Sequence, residues 1–340
     1  MSPRIRIGAV FAALALAGVA GPAASQTKVG TTFGQFSMIV PGARYAAMGN
    51  AGSAMMEGIQ AAYANPAALA RVEQVQLQFS HAAWLAGIRY DYVAAAFPVR
   101  TWGTALASVT SLGSGDLDVR TVAQPLGTGE RFSVSDVAIG LGFGRAISSK
   151  FAVGGQLTWL QETIWNSSAQ AVTFSLGTVY RVAPNGLHIG SSLQNFGTTA
   201  SFDGRDLRVT WDQDPNRSGD NGTLPAEQFT DDFPVPILFR VGLGYPFRLT
   251  SDLAAWTALD AWHPSDNTES VSAGGELTWK QMVSLRAGYQ NLFLDDSEVG
   301  LTLGAGFAGR LEGFAYHIDY AWADHQRLDS THRVTLGLGF

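Results

Sequence analysis

The chain has 340 residues, of which 46% are hydrophobic and only 15% charged, with 39 glycines and no cysteine. Without cysteine there is no disulfide framework, no thiolate metal site and no cysteine nucleophile. A net charge of −6 is the wrong sign for a nucleic-acid binder, and a mean hydropathy just above zero is odd for a soluble enzyme.

The first element in chain order is an export signal. Arg4 and Arg6 precede an apolar run over 7–20, and Ala23-Ala24-Ser25 supplies small residues for cleavage near Ser25. Residues 1–25 are therefore read as a signal peptide, and their removal leaves a charge of −8. Beyond residue 26 no stretch of ~18 consecutive apolar residues follows, so no second helical span is expected. The apolar residues must be organised by another period.

The next segment, 26–72, does not alternate over 30–72. Pro41 to Gly52, then 54–60 and 61–70, are rich in small residues with helical propensity, broken at Asn65-Pro66. A segment of this kind ahead of a barrel is expected to fold inside it as a plug or hatch, or to lie on its periplasmic rim.

Residues 73–340 have period two. Val334, Leu336, Leu338 and Phe340 point one way and Thr335, Gly337 and Gly339 the other; Val299, Leu301, Leu303 and Phe307 oppose Gly300, Thr302, Gly304 and Gly306. The pattern predicts fourteen strands, over 74–84, 88–97, 102–112, 135–145, 150–161, 169–180, 187–196, 234–246, 252–262, 269–279, 282–290, 298–308, 313–322 and 332–340. Most have the length a tilted strand needs to cross a bilayer. From the second connection onward, short turns alternate with longer loops, the pattern of outer-membrane barrels. The even strand count places both ends of the barrel in the periplasm. In 252–262, Trp256 and Trp262 fall opposite Leu253 and Leu259, which makes it the least regular strand.

A soluble β-sandwich also alternates, but its second face would carry Lys, Glu and Asp against water. Here that face is Gly, Ser, Thr, Gln and Ala, as a barrel interior would be. The greasy face carries aromatics near strand ends (Trp102, Trp159, Trp279, Trp322, Tyr180, Tyr245 and Phe340), as an interfacial girdle would. The fold expected is all-β: a transmembrane antiparallel barrel of about 14 strands in the cell outer membrane, with a partly helical N-terminal plug.

Certain residues resemble a known family. Pro41-Gly42-Ala43-Arg44-Tyr45-Ala46-Ala47-Met48-Gly49-Asn50-Ala51 and Ala61 to Ala70 resemble the N-terminal signature of the PorV/PorQ outer-membrane proteins, relatives of the FadL-like transporters. Gln194-Asn195-Phe196-Gly197, His263-Pro264-Ser265-Asp266-Asn267, Leu285-Arg286-Ala287-Gly288-Tyr289 and 332–340 resemble later motifs of that family. Asn65, Pro66 and Ala67 form the hatch motif, with Ala68 where the family has Gly. The resemblance implies a 14-stranded barrel and, for PorV-type members, a shuttle role in type IX secretion, with the secretion translocon and exported cargo as partners. FadL relatives instead pass hydrophobic small molecules through the wall past the hatch.

Other motifs add little chemistry. Gly304, Gly306 and Gly309 spell a dinucleotide fingerprint, but they lie on a strand with no helix after it. No hydrolase signature occurs and no cofactor is expected. Asp212, Asp214 and Asn216 space oxygens as a calcium loop does, but Arg217 replaces the usual Gly and Thr223 stands where a bidentate Glu should be, so a solvated acidic loop is the better reading. Arg89, Asp91, Arg240, Glu276, Arg286, His317 and Asp319 are assigned to the small-residue face as lumen charges, expected to pair with one another or with Arg44 or Glu57 of the plug. Phe340, ending a strand of period two, resembles the signal read by the barrel-assembly machinery. Two functions follow: a non-enzymatic binding or shuttle component in secretion comes first, with loop 197–233 as partner contact, and a FadL-like passive transporter second.

Overall fold

The computed structural model describes residues 29–340 except 57, 184, 185, 215, 218, 220–222, 295 and 296. The signal peptide and Glu57 therefore lie outside the described residues. Fourteen antiparallel strands close into one barrel: β1 Gln76–Ala83, β2 Arg89–Val99, β3 Gly103–Asp118, β4 Arg131–Ala146, β5 Phe151–Ile164, β6 Ser167–Arg181, β7 His188–Gly197, β8 Leu238–Arg248, β9 Leu253–Pro264, β10 Ser270–Trp279, β11 Val283–Leu292, β12 Leu301–Leu311, β13 Phe314–His325 and β14 Leu328–Gly339. Each strand pairs with its sequence neighbours, and the pairing of β1 with β14, from Gln76↔Gly339 to Ala83↔His332, shuts the ring. Closure satisfies the strand backbone without an exposed edge, a requirement in a lipid environment.

All fourteen strands fall where period two places them. The outer wall is apolar all round, with Phe79, Val109, Leu141, Leu176, Leu243, Leu285, Leu303 and Ile318 each more than a third exposed. So much apolar surface is incompatible with water and suits lipid. One end carries six short turns; the other carries the longer loops, except that β5–β6 and β13–β14 are joined there by two-residue turns at 165–166 and 326–327, because these strands run on past the spans the alternation marks. β3 and β4 run on past the wall as a hairpin over a register shift between Gly113 and Asp116. The long connection after β7 folds into small ladders, Arg208–Trp211 with Leu224–Glu227 and Thr199–Ala200 with Phe233–Pro234, while Asp203–Gly204 adds an extra strand beside β6.

Two strands present a different inner face from the one that residue size suggests. In β2, Tyr90, Tyr92, Ala94 and Ala96 are buried inward, whereas Val93 and Phe97 are exposed outward. The same parity puts Arg89 and Asp91 outside rather than in the lumen. They sit at the loop end of the strand, above the apolar belt, where Asp91 meets His81 at 2.7 Å and both are more than half exposed. In β9, Trp262 is buried and Trp256 half-buried on the inner face, and Leu259 faces out. The cause is the same in both strands. The lumen is filled with protein, so it accepts large side chains as well as small ones.

Candidate functional site in the filled lumen

Residues 29–72 thread the barrel as four short turns of helix: Gln35–Met38, Ala43–Ala46, Ile59–Tyr63 and Pro66–Arg71. Gly42, Gly49, Gly52, Gly58 and the Asn65-Pro66 step interrupt what small-residue propensity would otherwise extend. Asn65 is fully buried. Its Oδ1 accepts from the Ala67 amide, and its Nδ2 donates to Ser53 O at 2.7 Å and to Thr178 O of β6 at 3.0 Å. Pro66 takes the first helical position, which needs no amide hydrogen. The Asn-Pro-Ala step therefore starts a helical turn and ties it to the wall.

Glycines are placed on the inner wall where this backbone runs. A Cβ on Gly154 would collide with Pro66, on Gly177 with Asn65, on Gly190 with Ser53, on Gly274 and Gly288 with Met48, and on Gly304 with Ala47. These glycines belong to β5, β6, β7, β10, β11 and β12, so the close approach extends round much of the circumference. Hydroxyl and amide side chains of the wall then satisfy the buried main chain of the segment. Thr335 Oγ1 accepts from Ala43 N, Thr302 Oγ1 accepts from Gly49 N, Ser192 Oγ donates to Ala64 O, and Asp260 accepts from both Gly52 N and Ser53 N.

Charges tie the same segment from the turn end. Arg44 Nη2 lies 2.6 Å from Glu276 Oε1, Arg286 Nε 2.5 Å from Glu276 Oε2, and Arg286 Nη1 2.7 Å from Asp319 Oδ1. Gln60 of the segment donates to Asp319 Oδ2 and meets His317 Nε2. Glu276, Arg286 and Asp319 are almost fully buried, so each charge depends on its neighbours. Burial opposes the charge on Arg44, but Glu276 outweighs it and holds the guanidinium above its ordinary pKa. These groups line a recess of about 420 Å³ at the turn end.

The structure thus brings Glu276, Arg286, His317 and Asp319 together and leaves Arg240 apart. Arg240 is 1% exposed, stacks 4.1 Å over Trp262 and is close to Asp260. Asp214 and Asn216 are exposed and Asp212 is half-buried, and the carboxylates of the two aspartates cap their own loop through Asp214 N and Asn216 N. No cluster of three metal-binding side chains occurs among the described residues. Phe340 N donates to Val75 O, and its ring lies 6.0 Å from that of Phe314.

Sequence reading missed Tyr90, Trp262, Asp260, Thr302 and Thr335. The first two are bulky side chains that residue size assigns to the lipid face, and nothing in the sequence marks which wall hydroxyl meets which segment amide.

Beside the segment, the mid-lumen keeps only a small polar cavity of about 30 Å³, lined by Ser108, Thr110, Gln156, Ser175, Gln194 and Asn195, room for about one water. It abuts a bulge between β6 and β7, where the register shifts between Phe174 and Leu176 and Asn195 takes φ 61°. Asn195 Nδ2 reaches from this bulge to Ser37 Oγ and Pro236 O. Tyr63 forms the floor. Burial pushes its phenol up to about 12, so it remains a neutral donor to Ser37 O.

Comparison with solved structures identifies the architecture. The toluene transporter TodX of Pseudomonas putida superposes with a TM-score of 0.56 at 14% identity, covering 88% of this chain and 97% of that one. The monoaromatic hydrocarbon channel CymD superposes at 0.53, with 12% identity over 88% and 96%. Its structural neighbours are FadL-family outer-membrane barrels. No protein-family model and no curated protein sequence matches the chain. At such identities the likeness shows the fold, and the fold is that of bacterial outer-membrane proteins.

Proposed function

We propose that the chain is a passive outer-membrane channel for hydrophobic small molecules, with 26–72 as its plug. The observation that carries this reading is the lumen. Residues 29–72 occupy it through backbone-on-glycine contacts, so the barrel is not built as an open aqueous pore. A barrel of this fold with a filled lumen must admit its solute either by moving the segment or through the wall. The β6–β7 bulge beside the mid-lumen cavity is the point where the wall's hydrogen-bond ladder is already broken. TodX and CymD, which share the fold, are described as a toluene transporter and a monoaromatic hydrocarbon channel. This lends support to an aromatic or aliphatic solute of similar size.

The order of the two sequence-based readings therefore reverses. A shuttle role in secretion rests on the PorV/PorQ resemblance, and the neighbours described above are channels. They are not enzymes, and a non-enzymatic role fits the absence of any hydrolase signature. The test is uptake by cells displaying the chain in an outer membrane. A monoaromatic hydrocarbon should enter faster than in cells lacking the chain, while a sugar of similar size should not. Equal uptake of the hydrocarbon in both strains, with co-purification of exported cargo, would restore the shuttle reading.

A further inference from the structure

The charges outside the lumen are divided by end. Arg100, Lys150, Arg181, Arg248, Lys280 and Arg310 sit at or beside the six turns, one for each. Only Asp252 and Glu312 offset them on those turns. The loop end is acidic on balance, with Asp116, Asp118, Asp206, Asp231, Asp232 and Glu269 exposed; it also carries exposed Arg89, Arg120, Arg205, Arg208 and Arg217, while its Arg131 and Arg327 engage carboxylates. Among the described residues, none of the six turn cations lies within 4 Å of a carboxylate.

We propose that the turn end of the barrel binds the anionic headgroups of the phospholipid leaflet around it, through this basic ring. Its densest point is the β4–β5 turn. There Arg71 Nη2 and Arg181 Nη2 both donate to the single carbonyl of Ser149, at 2.6 and 2.8 Å, and Lys150 follows in the chain. Arg181 Nε is buried there without a hydrogen-bond partner. The Arg181 guanidinium, which meets no carboxylate within 4 Å among the described residues, keeps a donor and positive charge that a phosphate would satisfy.

Lipid, rather than an acidic protein, fits the placement of the cations. Four of the six stand next to or two residues from an exposed aromatic of the outer wall: Arg100 near Trp102, Arg181 after Tyr180, Arg248 after Phe247 and Lys280 after Trp279. Lys280 Nζ lies 4.8 Å over the Trp279 ring. Such aromatics sit at headgroup level, which brings the adjacent cation to the height of the phosphates. The cations are also spread round the whole rim, which matches an annulus of lipid and not a single docking face.

The test uses the full chain in nanodiscs of equal phosphatidylcholine and phosphatidylglycerol, with retained lipids counted by native mass spectrometry. Phosphatidylglycerol should be retained severalfold over phosphatidylcholine, and the preference should fall as salt rises. The variant Arg100→Gln/Lys150→Gln/Arg248→Gln/Arg310→Gln should lose it, by up to about fivefold for each residue neutralised. If that variant does not fold, the salt titration of the unaltered chain decides. Equal retention of the two lipids, a preference unmoved by salt, or an unchanged preference in a folded variant would each overturn the proposal. So would binding of polyglutamate without any preference for phosphatidylglycerol.

Discussion

Replacing Arg286 with glutamine should cost the folded barrel about 3–5 kcal/mol. The guanidinium is 5% exposed and bridges two carboxylates, Glu276 at 2.5 Å and Asp319 at 2.7 Å. Without it Glu276 keeps Arg44, but Asp319, itself 3% exposed, keeps only the Gln60 amide and the more distant His317. A nearly dry carboxylate without a cation is the expensive outcome, because removing one partner leaves the other's desolvation uncompensated. Arg44→Gln provides an internal control. Arg44 is 26% exposed, and Glu276 would still hold Arg286, so the loss should be roughly 1–2 kcal/mol and should fall on the luminal segment. Urea unfolding of the refolded protein, followed by tryptophan fluorescence and by heat-modifiable gel mobility, measures both. Should Arg286→Gln unfold within 1 kcal/mol of the unaltered chain, the network would be solvated and not a structural clamp.

Three other outcomes are expected. Gly288→Val places a side chain against Met48 and should loosen residues 29–72, seen as faster proteolysis of the segment while the barrel keeps its strand content by circular dichroism. Asn65→Ala removes a cap and two donor bonds from a fully buried site, so the refolded protein should lose roughly 1–3 kcal/mol in urea. Deleting Phe340 should reduce insertion into outer membranes, and normal insertion in a fractionation assay would remove its role as an assembly signal.

The strands were legible because an outer wall in lipid has to be apolar at every second residue along its whole span. Only the side chains meeting solvent beyond the wall, such as the β3–β4 extension, escape that constraint. Period two separates two faces but does not say which is inner. Residue size was the guide, and it failed where the lumen holds bulky groups: Tyr90 and Tyr92 in β2 and Trp256 and Trp262 in β9. Arg89 and Asp91 were misplaced for that reason. The glycines were legible as an inner face, but their purpose depends on contacts with residues more than a hundred positions away, such as Gly288 with Met48. Glu276, Arg286 and Asp319 were readable from parity because charges on a small-residue face are rare. Asp260 was not, since it shares a strand whose faces looked inverted.

The central claim is that residues 29–72 govern the passage of a hydrophobic solute. The native chain lacks cysteine, so Ala46→Cys and Ala321→Cys, two positions of one buried cluster joining segment to wall, can be joined through disulfides to a short reducible bis-thiosulfonate cross-linker. Hydrocarbon uptake by cells carrying this variant should be slow when the cross-link is formed and return on reduction. Uptake equally fast in the cross-linked and reduced protein would show that the segment does not gate the route.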